Sequence, residues 1–346
     1  MIVLGLESSC DETAAAVVRG GREVLSSVVS SQYELHAEYA GVVPEIASRA
    51  HVERVVPVMR EALERAGVGL GMIDAVAVGN RPGLIGCLLV GVGAAKALSW
   101  SLAKPLIGVD HVHAHLYSGM LDRQEDGSIF PALGLVVSGG HTALFHLDSW
   151  NQVKRLGGTI DDAVGEAYDK VATVLGLPHP GGPNLDRLAR TPGADERAIE
   201  LPVSRLSRES LDFSFSGLKT SVLYAVKGVP NARDPDKLPK PLTDERKADI
   251  AASFQKAACD AVMLKLARAA DRLEYRALLV GGGVSANSRL RGCLEAFAAK
   301  RGIHAVIPPM CYCMDNAAMI AGLGGTLLAL GRHSDMNLQA DPVTAL

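Results

Sequence analysis

Apolar and polar runs along this chain repeat in one order, twice. Residues 4–15, LGLESSCDETAA, align with residues 133–144, LGLVVSGGHTAL, at a constant offset of 129. Leu4-Gly5-Leu6 falls on Leu133-Gly134-Leu135, Ser9 on Ser138, and Thr13-Ala14 on Thr142-Ala143. Each segment reads as an apolar strand, a small polar turn and a second apolar strand. A third strand-like run follows in each, EVLSSVVSS and QVKRLGGTI. A three-strand unit used twice points to duplication.

Helical spacing follows in both halves. It covers 45–67 and 84–100 in the first, and 161–176 and 244–273 in the second. Strand-like AVAVG and PLIGV in the first half correspond to RALLVGGGV in the second. Strands interleaved with helices, doubled, predict an α/β protein of two lobes with a cleft between them. The first lobe is expected to hold residues 1–115 with about 325–346. The second holds about 116–324. Within it, the Pro- and charge-rich stretch 228–243 reads as an exposed loop or insertion.

Composition agrees with that class. The 346 residues are 48% hydrophobic and only 4% aromatic, with 36 glycines, as suits an aliphatic core with close backbone approaches. The formal net charge of -3 gives no sign of a strong nucleic-acid binder. Residues 187–247 hold twelve Lys or Arg against nine Asp or Glu, a small surplus. No basic region precedes the first apolar run, so no signal peptide is expected. The segment 83–100 is apolar but Gly-rich and interrupted by Lys96, which predicts a buried helix and no membrane span. Six cysteines without a CxxC pair suit reduced thiols and a cytoplasmic location.

Three turns look built for an anion. VVSGGHT at 136–142 offers backbone N–H groups beside Gly139 and Gly140. LLVGGGVSANSRLR at 278–291 runs from strand through glycines into a helix start near Ser285 or Asn287, and LPHPGGPNLDRLA at 177–189 is a third. No GxxxxGK[ST] and no full GxGxxG is present. Any one Gly turn is ordinary chain reversal. Three ending at strand or helix termini favour a nucleotide.

The stretch GVDHVHAHLYSG, residues 108–119, carries His111, His113 and His115. With Asp110 as cap it starts a helix, which puts His111 and His115 on one face and His113 on another. The i, i+4 pair suits a divalent metal, although an HxxxH pair alone is more often two surface or capped histidines. A metal needs a further ligand, and Asp315, in PPMCYCMDNAAMIAGLG, is the best distant candidate. Asp315 is expected to start the apolar helix. Two imidazoles and a carboxylate with open positions suit Fe(II) or Zn(II) in a working site.

These segments also resemble a known family. GLESSCDETAAAVV, PEIASRAHVERVVPVM, HxxxH, VSGGHT, DDAVGEAYDKVATVLGLPHPGGP, FSFSGLKTSV, GGGVSAN and CMDNAAMIA stand in the order of the tRNA N6-adenosine threonylcarbamoyltransferase (TsaD) family, once labelled O-sialoglycoprotein endopeptidase. The likeness covers nearly the whole chain. It implies the duplicated fold of actin, sugar kinases and heat-shock chaperone ATPases. It implies transfer of threonylcarbamoyl from threonylcarbamoyl-AMP to N6 of adenosine 37 in tRNAs reading codons that begin with A, forming t6A. The metal positions fall on His111, His115 and Asp315, with Fe(II) ahead of Zn(II). The adenylate positions fall on Val136, Val137, Ser138, Gly139, Gly140, Asp169, Gly182, Asp186 and Asn287. Asp11 and Glu12 match the acidic pair tied to catalysis. The implied partners are tRNA, the paralogue TsaB and the small ATPase TsaE. Departures fall on His113, Met314, the turn Asn80–Leu84 and the stretch 228–243.

Other classes fit less well. A phosphotransferase of the same superfamily shares the phosphate turns but has no use for HxxxH with a distant Asp. A metallopeptidase is disfavoured because no HExxH is present. A nucleotide-dependent scaffold would not need Asp11, His111, His115 and Asp315 together.

Overall fold

The structure, a computed structural model, describes residues 1–39, 41–124, 128–204, 206–230 and 238–345. It contains two five-stranded sheets. The first uses β1 (Ile2–Glu7), β2 (Glu12–Arg19), β3 (Glu23–Ser31), β4 (Ala75–Arg81) and β5 (Leu106–Asp110), in the order β3-β2-β1-β4-β5. The second uses β6 (Ala132–Val137), β7 (Thr142–Ser149), β8 (Gln152–Gly158), β9 (Ala277–Gly281) and β10 (His304–Val306), in the order β10-β9-β6-β7-β8. The two orders map onto each other strand for strand.

The duplication extends to register. Leu4 stands opposite Val17 and Gly5 opposite Ala16; 129 residues on, Leu133 stands opposite His146 and Gly134 opposite Phe145. On the parallel side Leu4 pairs with Val76, and Leu133 with Leu278. Because side chains alternate along a strand, equal register puts equivalent positions on equivalent faces.

The helices are α1 (Tyr33–His36), α2 (Pro44–Ala66), α3 (Ile85–Leu102), α4 (His111–Tyr117), α5 (Val164–Val174), α6 (Gly181–Ala189), α7 (Ser216–Lys227), α8 (Asp244–Ala270), α9 (Ser288–Arg301) and α10 (Ala317–Ala329). β1 is a continuous apolar run because both its faces are covered. Leu6, Val76 and Val78 pack with Val58 of α2 and Val92 of α3, while Gly5 lies against Ala317 and Ala321 of α10.

The chain divides into two compact units. One is Met1–Ser128 with Asp148–Val153 and Pro308–Leu346; the other is Ile129–Leu147 with Lys154–Ile307. Residues 116–124 and 308–324 therefore pack with the first unit, where the pattern had placed them in the second. The cause is α10, whose residues Ala317 to Gly325 are buried on β1 and β4. The core of the second unit gathers Tyr168, Phe213, Phe215 and Phe254 with the aliphatic residues of α5 and α8. Of the expected insertion, residues 231–237 lie outside the described residues; Gly228 ends α7 and Thr243 caps α8.

α3 corrects one expectation. It is long and apolar enough to cross a membrane by length and composition. It is not the buried helix the pattern suggested. Cys87, Leu88, Val92 and Ala95 are buried, but Ile85, Leu89 and Trp100 are 48%, 58% and 78% exposed. Hydrophobicity on every side had hidden which face meets the sheet.

Candidate active site

The first cluster is built on α4. Asp110 caps this helix, its Oδ1 accepting from the backbone N–H of Val112 (3.0 Å) and His113 (3.2 Å). One helical turn then brings the rings of His111 and His115 edge to face, 4.6 Å between centroids. Asp315 meets them. Its Oδ1 lies 3.5 Å from His111 Nε2 and 3.1 Å from His115 Nε2. The three ligand atoms lie within 4.8 Å of one another. Bonds of about 2.1 Å at right to tetrahedral angles set two ligands of one ion about 3.0–3.4 Å apart. The donor set therefore fits a divalent cation of borderline softness.

Asp315 does not begin α10. Asn316 is the cap, its Oδ1 accepting from Met319 N at 3.0 Å and its Nδ2 donating to Met314 O at 2.8 Å. These bonds fix the backbone on both sides of Asp315 and leave its carboxylate for the histidines.

His113 faces away from the triad, as helical spacing requires. It packs against Trp150, with 5.8 Å between centroids. It is 6% exposed, and burial together with Arg332 pushes it down to about 3. It is a neutral packing residue.

The pattern did not single out Glu7. This carboxylate ends β1, is 1% exposed, and sets Oε2 2.9 Å from His111 Nδ1. Its Oε1 accepts from Ser9 N at 2.6 Å. A carboxylate only accepts, so Nδ1 of His111 carries the proton and Nε2 is left for the cation. Burial pushes the Glu7 carboxyl up, but the His111 ring outweighs this and holds it below its usual range. Burial opposes the charged form of His111, yet Glu7 and Asp315 raise it well above an ordinary histidine. For His115 burial wins, and the ring is held neutral. Asp315 is held well below the usual carboxylate range because the two imidazoles overcome its burial. The one sequence signal for Glu7 was a charged residue closing an apolar strand.

Asp11 and Glu12 stand where β1 turns into β2. Glu12 is pushed up to about 9 by burial, by the charges of Asp315 and Asp11, and by a hydrogen bond with Asp11. Without a cation nearby, Glu12 keeps its proton at neutral pH. A divalent ion on the triad opposes the Asp315 charge and draws Glu12 back toward ionisation.

The second cluster lies in the other unit. Ser138 N donates to His141 O (2.7 Å) and His141 N donates to Ser138 Oγ (3.0 Å), which close the turn around Gly139 and Gly140. The start of α5 rests on this turn: Gly165 N donates to Ser138 O at 3.2 Å. The glycine turn after β9 closes on it as well. Gly282 has φ +93, and a Cβ there would stand 2.4 Å from Val137 O. Val136 and Val137 are buried strand residues that carry the turn. Asp169 of α5 accepts from Gly182 N at 3.2 Å, so α5 holds the start of α6. Burial raises the Asp169 carboxyl above its usual range. Asp186 of α6 collects Gln255 Nε2 (3.0 Å), Asn287 Nδ2 (3.3 Å) and Ser288 Oγ (2.7 Å) on one oxygen. Asn287 also caps α9, accepting from Leu290 N at 3.0 Å. The residues expected to hold an adenylate thus form one connected network of turns and helix starts.

A family model described as TsaD, tRNA N6-adenosine threonylcarbamoyltransferase, matches residues 23–322. The chain belongs to this family of tRNA-modifying transferases. A relative from Symbiobacterium thermophilum is 49% identical over 341 residues, covering 99% of this chain and 96% of its own. One from Anaeromyxobacter dehalogenans is 50% identical over 347 positions, covering 99% of both chains. Each is named tRNA N6-adenosine threonylcarbamoyltransferase. Among solved structures, HypF from T. kodakarensis superposes with a TM-score of 0.60 at 17% identity, over 95% of this chain and 48% of that one. Component A of the Acidaminococcus fermentans (R)-2-hydroxyglutaryl-CoA dehydratase gives 0.51 at 14% identity, over 95% and 99%. At such identities the likeness is one of fold, the duplicated α/β class that the repeat predicts. Membership carries the transferase reading past the phosphotransferase and peptidase ones.

Proposed function

We propose that this transferase moves the threonylcarbamoyl group of threonylcarbamoyl-AMP to N6 of adenosine 37 in tRNAs reading codons that begin with A. In that reaction N6 attacks the acyl carbonyl carbon, a C–N bond forms, the C–O bond to phosphate breaks, and AMP leaves as an anion. The exocyclic amine is a weak nucleophile and must lose a proton as the bond forms. The Asp11–Glu12 pair supplies the acceptor. Ser138, Gly139, Gly140, Asp169, Gly182, Asp186 and Asn287 hold the adenylate. His111, His115 and Asp315 hold Fe(II), or Zn(II) in its place, and the ion when bound polarises a carbonyl oxygen. Glu7 keeps His111 in the ligating tautomer.

The observation that carries this reading is the His111–His115–Asp315 triad, its two histidines buried and His111 oriented by Glu7, with Glu12 close enough to feel the Asp315 charge. The partners in this reading are tRNA, TsaB and TsaE, and the site of action is the cytoplasm. The outer faces of α2 and α3, where Val52, Val56, Ile85 and Leu89 are exposed, suit docking of the paralogue. The test is reconstitution with partners, ATP, threonine, bicarbonate, a threonylcarbamoyl-AMP synthase and unmodified tRNA. Digested tRNA is then read for t6A by mass spectrometry. Formation of t6A that Asp11→Ala and His115→Ala both abolish supports the reading. Absence of t6A with the complete system refutes it.

A further inference from the structure

A proton acceptor two residues long, set in a turn, has to be held at a fixed place to work, because a displacement of about 1 Å costs up to about 100-fold in rate. The turn between β1 and β2 is gripped at several points. Ser9 O accepts from Leu84 N at 2.8 Å, and Asp11 O from Gln32 N at 3.0 Å. The two groups that flank the Asp11–Glu12 dipeptide both go to one side chain, His51 of α2. Its Nε2 lies 3.0 Å from Cys10 O, just before the dipeptide. Its Nδ1 lies 2.8 Å from Thr13 Oγ1, just after it.

These contacts define the ring's state. A carbonyl oxygen only accepts, so Nε2 carries the proton. Nδ1 is then bare, and the Thr13 hydroxyl must donate to it. His51 is 0% and Thr13 1% exposed, so the ring and the hydroxyl are both shielded from water. The ring nitrogens of His51 bond to Cys10 O and Thr13 Oγ1 and to no member of the triad. A buried, fully satisfied histidine in a helix is ordinarily a packing residue. What sets this one apart is that both its bonds end on the two sides of the acidic dipeptide, and on nothing else.

We propose that His51 is a positioning residue for acyl transfer: its two hydrogen bonds, completed by the Thr13 hydroxyl, set where Asp11 and Glu12 stand. The inference rests on the reading of that pair as the proton acceptor.

The test compares His51→Ala, His51→Gln, Thr13→Val, Thr13→Ser and Asp11→Asn in reconstituted t6A formation, with thermal melting of each. Thr13→Val is nearly isosteric and keeps the test open where His51→Ala does not fold. Expected are falls in kcat of about 10- to 100-fold for Thr13→Val and His51→Ala, with KM for tRNA and for threonylcarbamoyl-AMP held within about twofold. Thr13→Ser still donates, and Gln at position 51 offers one donor and one acceptor, so both retain most of the rate. A variant carrying both His51→Ala and Thr13→Val is no slower than His51→Ala alone, since both changes cut the same link. A Thr13→Val protein with wild-type kcat overturns the inference, and so does a change confined to KM or to melting temperature. If Asp11→Asn is inactive while the His51 and Thr13 variants keep full rate, the positioning role alone falls. If Asp11→Asn has full rate, the role of the acidic pair falls first, and the inference with it.

Discussion

Glu7→Gln removes one charge from the site and changes almost no volume, yet it should weaken metal binding. Glu7 offers two acceptor oxygens, one to Ser9 N at 2.6 Å and one to His111 Nδ1 at 2.9 Å. A glutamine has one acceptor and one donor. If its oxygen faces Ser9, its amide donates to His111 Nδ1. The ring proton then moves to Nε2, which points at Asp315, and the ligand atom is blocked. If the amide is turned over, His111 keeps the ligating tautomer, but two N–H donors face each other where Ser9 had its bond. Binding an ion through His111 Nε2 requires the second arrangement, which forfeits the buried Ser9 hydrogen bond, about 1–3 kcal/mol. At about 1.4 kcal/mol per tenfold, that is a loss of roughly 5- to 150-fold in metal affinity. The assay is competition for Fe(II), Zn(II) or Co(II) against a chromophoric chelator, anaerobic for iron, with His115→Ala as the control for a lost ligand. A folded Glu7→Gln protein that binds within about twofold of wild type would refute the argument that Glu7 sets the tautomer of His111.

Three further outcomes follow from other parts of the molecule. Glu12 is raised to about 9 in the fold, so the metal-free fold keeps a proton that the unfolded chain gives up near its ordinary carboxyl value. That stability is present below about pH 4.5 and is lost as pH rises toward 9. Metal-free Glu12→Gln should therefore melt above wild type near pH 8, with the gap closing toward pH 5; equal melting curves at both would refute the burial of a protonated Glu12. Gly282→Ala forces a Cβ to 2.4 Å from Val137 O at φ +93, and should destabilise by about 2–4 kcal/mol in urea unfolding, where a change under about 0.5 kcal/mol would contradict the contact. Leu89→Asp, at a position 58% exposed on α3, should leave melting within about 2 °C and weaken paralogue binding at least tenfold by calorimetry; unchanged binding removes that face as the docking surface.

The chain alone determined the duplicated architecture, because period and order are local properties. The offset of 129 residues in apolar pattern reappears residue for residue in the pairing of β1 with β2 and of β6 with β7. The helical phase of His111 and His115 was legible too, since Asp110 is a cap that any reader of helix starts can find. Asp315 could be nominated but not placed; that took the packing of α10 on β1 and the Asn316 cap. Glu7 and His51 were silent. One looks like the last residue of a strand and the other like the inner face of a helix. Their roles exist only because residues 104 positions apart, and 41 and 38 apart, are brought within a hydrogen bond of each other. The exposed face of α3 was hidden for the opposite reason. A helix apolar on all sides carries no mark of which side the sheet covers, and that is decided by what packs against it.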